Sequence, residues 1–464
     1  MMRVSQAAQA LGVPFTGQDA EFSAVSSDSR TLSKGELFVA LRGERFDGHA
    51  FIAHAAAAGA AAALIEKGHD AIKEMPDAVT QMPLIAVADT LLALGSLAQY
   101  WRRQFDIPLV AVTGSNGKTT VKEMLASILR EAVKSGSDSG VLATRGNLNN
   151  YIGVPLTLLE LRREHRYAVI EMGMSHADEI SYITRLAEPT VALINNAGLA
   201  HVKFLGSADA IARAKGEIFE GLRAGGTAVI NADDRHAQLW RELAAGSKQL
   251  EFGIEAIAAV SASYRINALD SEIMLKTPLG EASAVVPAPG LHNVRNALAA
   301  CAAATALQVP VATVAAGLAR FPGVTGRLQR KGCLHGATLI DDSYNANPDS
   351  VRAAIAVLAQ MPGAKLLVLG DMGELGPQSA ALHAEIGANA RVAGIDRLFT
   401  LGELSAPASQ AFGADARHFR RIEDLFVEIE NLLAPGMTVL VKGSRYMRME
   451  RVVKNFERGV TIEE

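Results

Sequence analysis

The stretch Pro108-Leu109-Val110-Ala111-Val112-Thr113-Gly114-Ser115-Asn116-Gly117-Lys118-Thr119-Thr120 decides the fold. Its first six residues form an apolar run of buried-strand length. A glycine turn follows. Beyond it, Val121, Met124, Leu125, Ile128 and Leu129 recur at helical spacing and define one apolar face. Strand, glycine turn and helix N-terminus together make an anion cradle: backbone N–H groups converge there and the helix dipole adds positive potential. Gly114, Ser115, Asn116, Gly117, Lys118, Thr119 and Thr120 are the expected contacts to ATP. Lys118 would reach the outer phosphates, and the Thr119 hydroxyl would hold Mg2+. The match to G-x-x-x-x-G-K-[ST] is partial. Val112 stands at the first glycine position, and Gly114 comes two residues later.

Working outward, the chain alternates short apolar runs with helical stretches, the pattern of parallel sheets with crossover helices. Three segments are expected. Residues 1–85 mix short apolar runs with turn signals and an alanine-rich helix over about 50–64. Residues 86–321 carry candidate strands at 108–113, 168–172, 191–195 and 227–231. Residues 322–464 repeat the theme with 338–340, 365–369, 397–401 and 438–441. Several runs end in polar residues, and ligands of open α/β sheets bind at such carboxyl ends. Phe321-Pro322-Gly323 reads as a hinge.

Bulk composition narrows the function classes. The 464 residues are 49% hydrophobic and only 5% aromatic, too few rings for a stacking platform. The net charge of −4 leaves no polybasic footprint for nucleic acid. The run from Ala53 to Ile65 is too short to span a bilayer, and the N-terminus lacks a signal-peptide pattern. Two cysteines, Cys301 and Cys333, fit a reducing cytoplasm and exclude a cysteine zinc cluster. A cytoplasmic monomer is expected, with no membrane insertion.

The short form Thr113-Gly114-Ser115-Asn116-Gly117-Lys118-Thr119 resembles the Mur ligase superfamily, which includes the folylpolyglutamate synthases. Four further blocks resemble its branch that joins D-alanyl-D-alanine to UDP-N-acetylmuramoyl-tripeptide. They are Asp28-Ser29-Arg30 with Gly35 to Gly43 and Asp47-Gly48-His49, then Thr144 to Thr157, Asp341 to Pro348, and Leu369 to Gly376. The resemblance spans all three segments. It implies an α/β, three-domain architecture: a small N-terminal α/β domain for the UDP-substrate, a central P-loop parallel-sheet ATPase domain, and a C-terminal Rossmann-like domain for the dipeptide. The implied reaction is an ATP-dependent ligation in peptidoglycan synthesis, through an acyl phosphate, releasing ADP and phosphate. Such chemistry needs positioning and charge neutralisation more than a protein nucleophile.

The resemblance also implies roles for individual residues. Lys118, Glu171, His201 and Lys215 form the catalytic set. Thr119, Glu171, His201 and a carbamylated Lys215 are the implied metal ligands, although a lone histidine or a helix lysine is more often structural. Asn296, Arg327, Asp342, Tyr344 and Asn345 would contact ATP, Arg327 by closure of the C-terminal domain. Ser29, Arg30, Thr144, Asn147, Asn149 and Asn150 would hold the UDP-substrate. Lys442, Ser444 and Arg445 would hold the dipeptide, unless they merely form a solvated basic turn. Two other readings stay open: a ligase of the same superfamily with a different acceptor, and a nucleotide switch without ligase activity.

Overall fold

The structure, a computed structural model, describes residues 1–43, 46–69, 82–133, 140–198 and 207–458. The expected histidine His201 lies outside the described residues. The N-terminal sheet orders its strands Phe15–Thr16, Leu84–Val87, Ala62–Glu66, Leu37–Val39 and Val25–Ser26. All its neighbours are parallel except the first pair.

Two expectations change here. The alanine-rich stretch is not one helix to residue 64. The helix is Ile52–Ala57, Gly59 turns with φ +86°, and Ala62–Glu66 is a strand. Alanine favours helix, but Ala62, Ala63, Leu64 and Ile65 are buried between layers, and burial overrides propensity. The segment break expected at 85 falls inside the strand Leu84–Val87, which pairs with Ala62–Glu66. The first sheet therefore runs to Val87. Asp89 then caps the helix Thr90–Arg102, accepting from Leu91 N at 2.8 Å and Leu92 N at 2.9 Å.

The central sheet is parallel, ordered Lys248–Phe252, Thr227–Asn231, Val191–Ile194, Leu109–Thr113, Tyr167–Glu171 and Val141–Ala143. Leu109–Thr113 is the first of these strands in sequence and lies inside the sheet. The chain next builds two strands on one side of it, then three on the other. The strand's carboxyl end is thus a topological switch point, where such sheets open a crevice. The helix Lys118–Val133 starts at that point and buries Val121, Met124, Leu125, Ile128 and Leu129, as their spacing predicts. An antiparallel sheet of Ser261–Ile266, Ser271–Thr277 and Gly280–Val286 is appended to this domain.

The C-terminal sheet orders Gln329–Gly332, Thr338–Asp342, Thr438–Lys442, Lys365–Gly370, Arg397–Leu401 and Ala416–Phe419. Only its first strand is antiparallel to its neighbour. The chain passes from the central to the C-terminal domain between the helix Val311–Ala319 and Gln329.

Candidate active site at the central and C-terminal domain junction

The glycine turn is held from the neighbouring strand end. Ser115 N donates to Asn196 O at 2.9 Å, and Asn116 N donates to Asn196 Oδ1 at 2.8 Å. Asn195 and Asn196 each donate from Nδ2 to Asn116 O at 3.0 Å. Gly117 has φ +78°, and a Cβ there would lie 2.6 Å from Asn195 Nδ2 and collide with Asn296 Oδ1. Only glycine fits this position. Among the described residues, nothing accepts from the amides of Lys118, Thr119 and Thr120, which open the helix. These three amides point the cradle at an anion. The Lys118 ammonium folds back onto Gly114 O at 2.7 Å. Burial pulls its pKa below the ordinary lysine value, with Glu171 opposing that shift.

Glu171 ends the adjacent strand and is 2% exposed. Its Oε1 accepts from Asn149 Nδ2 at 2.8 Å, whereas its Oε2 is buried with no hydrogen-bond partner among the described residues. A buried carboxylate oxygen left unpaired is costly, and a divalent cation would satisfy it. With the Thr119 hydroxyl, the donor set is oxygen, which suits Mg2+. Lys215 lies on the helix Ala208–Gly216, fully enclosed. Burial holds its pKa well below the usual value, and the charge of Lys118 adds to the effect. That shift favours the neutral amine, the form chemically able to take up CO2.

The C-terminal domain is docked on this cradle. Arg327 Nη2 donates to Thr119 Oγ1 at 3.3 Å, and Asn347 Nδ2 donates to Asn116 Oδ1 at 2.8 Å. The Arg327 guanidinium stacks on the Tyr344 ring, 4.5 Å from its centre. Leu328 next to it adopts φ +50°, a strained conformation for a branched residue, and its N–H is pinned by Asp342 Oδ1 at 3.2 Å. The domains enclose a cavity of about 670 Å³ lined by Asn116, Thr120, Asn296, Arg327 and Asp342. Asn296 is 5% exposed and accepts from Asn195 Nδ2 at 2.9 Å.

Other expected contacts fall into two groups. Ser29 and Arg30 sit on the N-terminal domain, where Arg30 forms a two-pronged pair with Asp28 at 2.9 and 2.7 Å. Asn147 is exposed, and Asn150 accepts from Ile152 N and Gly153 N at the start of the helix Gly153–Leu159. Thr144 is 1% exposed, and its Oγ1 accepts from Glu171 N at 2.9 Å, so it also serves the fold. Lys442 is corrected more strongly. It does not stand open for a free carboxylate; its ammonium is buried on Asp342 Oδ2 at 2.6 Å and Asn345 O at 2.9 Å. Burial pushes the Asp342 carboxyl up, with Lys442 pulling the other way. Ser444 accepts from Gly373 N at 2.7 Å. Arg445 is exposed, pairs with Glu450 at 3.1 Å and lies 5.8 Å from the centre of the Tyr344 ring.

Sequence reading pointed to the strand ends at Asn195 and Asn231 as ligand-facing without giving either a role, and did not single out Asn196. Asn231 Nδ2 donates to Asn195 O at 2.8 Å and so braces the wall of the cradle. His292, also missed as a lining residue, has its pKa pulled down to about 4 by burial, with Lys442 and Arg295 adding to it. On the N-terminal domain, outside the lining of the cavity, Asp47, His49 and His69 converge. His49 Nδ1 meets Asp47 at 2.6 Å and its Nε2 accepts from Glu66 N at 2.8 Å. Both ring nitrogens are therefore committed, and the group is a brace for the fold rather than an open metal site.

Comparison with known proteins gives these features a family. The model of the Mur ligase middle domain matches residues 112–304, that of the Mur ligase glutamate ligase domain 326–445, and that of the Mur ligase catalytic domain 21–102. The UDP-N-acetylmuramoyl-tripeptide--D-alanyl-D-alanine ligase of Escherichia coli K12 is 41% identical over 462 residues, 99% of each chain. That of Bacillus subtilis 168 is 36% identical, covering 93% of this chain and 92% of its own. A crystal structure of MurF from Acinetobacter baumannii superposes with a TM-score of 0.88 at 36% identity, covering 98% and 99%. MurF from Thermotoga maritima in complex with ADP gives 0.79 at 28%, covering 93% and 96%. On the motifs, the three-domain architecture and these full-length relatives, the chain belongs to the Mur ligase family.

Proposed function

We propose that this chain joins D-alanyl-D-alanine to UDP-N-acetylmuramoyl-tripeptide, an ATP-dependent ligation of peptidoglycan precursor synthesis. The observation that carries it is the docked cradle: uncommitted helix amides, Lys118, the unpaired Glu171 oxygen and Arg327 meet at one place. The substrate identity comes from the full-length relatives at 41% and 36% identity.

In this reading the cradle amides and Lys118 bind the β- and γ-phosphates and neutralise their charge. Glu171 and Thr119 would hold Mg2+, with His201 and a carbamylated Lys215 as further ligands. When bound, the metal screens the phosphates from the incoming carboxylate. The γ-phosphoryl group passes to the terminal carboxylate of the tripeptide, ADP leaves, and the acyl phosphate is then attacked by the dipeptide amine. Phosphate departs and an amide bond remains. Arg327 neutralises charge that develops on the transferred group and excludes water when the C-terminal domain is docked. Asn296, Tyr344 and Asn345 shape the nucleotide side. Lys442 acts through Asp342 and Ser444 through Gly373, each fixing its loop, while Arg445 remains for the dipeptide. Ser29, Arg30, Asn147 and Asn149 serve the UDP-substrate. Among the described residues no helix is long and apolar enough to cross a membrane, and both cysteines are free and buried, which suits work in the cytoplasm.

The test is phosphate release with the UDP-tripeptide and a panel of acceptors. Turnover with D-alanyl-D-alanine is expected. Turnover only with a single amino acid would sink this reading.

A further inference from the structure

One buried charge has no part in the reaction as described. Lys122 lies one helical turn beyond Lys118 on the helix Lys118–Val133, and it is 1% exposed. An ammonium in such a place is costly unless paired, and an apolar chain of the same length would fill the space at less cost. Lys122 Nζ has two partners: Glu123 Oε1 at 2.5 Å and Thr144 O at 2.7 Å.

Thr144 is a junction. Its N–H donates to Val169 O at 3.0 Å, and its Oγ1 accepts from Glu171 N at 2.9 Å. It stands just past the edge strand Val141–Ala143, where the 145–150 loop leaves the sheet. At the far side of that loop, Asn149 Nδ2 holds Glu171 Oε1 at 2.8 Å, and Asn149 O accepts from Gly173 N at 2.7 Å. The loop is thus clamped at both ends around Glu171. At one end the clamp is anchored by an ammonium carried on the same helix that opens at the phosphate cradle.

We propose that Lys122 is a positioning residue: it ties the nucleotide-binding helix to the 144–150 loop and thereby aims Glu171 and the substrate-facing asparagines. The inference rests on the proposed roles of Glu171 as a metal ligand and of this loop in holding the UDP-substrate. A rigid helix makes the tie directional. The link from that helix to Thr144 is a charge-assisted hydrogen bond.

The test uses the full chain with Lys122→Met, Lys122→Gln and Lys122→Arg. Equilibrium binding of UDP-N-acetylmuramoyl-tripeptide is read by calorimetry, and Mn2+ binding to the ADP-loaded protein by its paramagnetic resonance signal. Both should weaken about tenfold in Lys122→Met, the size expected when a residue behind a ligand is lost. The KM for D-alanyl-D-alanine, which belongs to the other domain, should stay within about twofold of the parent value, and Lys122→Arg should recover most of the binding. If Lys122→Met does not fold, Lys122→Gln, which keeps a donor for Thr144 O, should show a smaller shift in the same two constants. A lower melting temperature with both binding constants unchanged overturns the proposal, as does an equal shift in all three constants. Glu171→Gln separates the two levels. If Glu171→Gln leaves Mn2+ binding intact, the underlying metal reading fails. If it weakens Mn2+ binding and the Lys122 variants do not, only the Lys122 inference fails.

Discussion

Two turns in this molecule leave the end of a buried parallel strand through glycines, and they treat their backbone amides in opposite ways. The turn after Leu109–Thr113 leaves the amides of Lys118, Thr119 and Thr120 without an acceptor among the described residues and places a lysine among them. The turn after Lys365–Gly370 commits the amides of Met372 and Gly373. Met372 N donates to His383 Nε2 at 2.9 Å and Gly373 N to Ser444 Oγ at 2.7 Å. Asp371, 4% exposed, accepts from Glu403, Leu404 and Ser405 N at 3.0, 3.0 and 2.9 Å. The same strand–glycine–helix grammar therefore builds a receptor for an anion in one domain and a closed joint in the other. What separates them is what meets the amides: those of the cradle helix wait for an acceptor, with Lys118 beside them, whereas those of the second turn meet His383 and Ser444, and Asp371 braces the neighbouring 403–405 segment.

The largest break in this contrast is Lys118→Ala. It should lower kcat/KM about a thousandfold, as loss of a positioned charge at a transferring phosphoryl group does. The melting temperature should hardly move. Steady-state phosphate release and thermal unfolding check both halves, and near-normal turnover would remove Lys118 from the phosphates. Next comes Glu171→Gln, isosteric but neutral. A loss in kcat of about a hundredfold is expected, with a higher Mg2+ requirement. A Mg2+ titration showing the parent midpoint would count against a metal role.

The opposite half of the comparison is broken by Asp371→Ala. It leaves three backbone amides without their acceptor and should cost about 2–3 kcal/mol of stability. ADP affinity, measured by calorimetry well below the melting temperature, should be unchanged. A large loss of nucleotide binding would show that the second turn is not merely a joint. The smallest effect concerns His292 at the cavity wall, whose pKa is pulled down to about 4 in the fold. The folded state then prefers the neutral ring. Its stability contribution is fully present above the unfolded value near 6.5 and is lost as the pH falls from there towards 4. Melting temperatures of the parent should sag across that window. The sag should be shallower in His292→Gln, and identical profiles would show that this ring does not set the slope.

The central strand and its helix were legible because local rules and tertiary context agree there. Leu109–Thr113 is apolar up to its terminal threonine and buried on both faces, and the helix after it shows a clean apolar stripe. Ala62–Glu66 was not legible, because alanine carries no periodic signal and only packing between layers makes it a strand. Val141–Ala143 and Gln329–Gly332 are too short for any periodicity to show. Among site residues, the glycines, Lys118 and Glu171 follow from strand ends and turn chemistry. The destination of Lys442 does not. Its place after a strand reads the same whether the ammonium faces a ligand or, as here, the carboxylate of Asp342, 100 residues earlier in the chain.

The sequence by itself determined the parallel α/β layering, the phosphate cradle and the family, since these rest on local period, turn residues and contiguous motifs. Only the tertiary structure decided which charges are committed to one another. It brought Arg327 onto Thr119, sealed Lys442 against Asp342, left one oxygen of Glu171 unpaired and buried Lys122 under the 144–150 loop. The physical reason is range. Period and turn chemistry act over a few neighbouring residues, whereas desolvation and ion pairing depend on which distant segments the completed fold presses together.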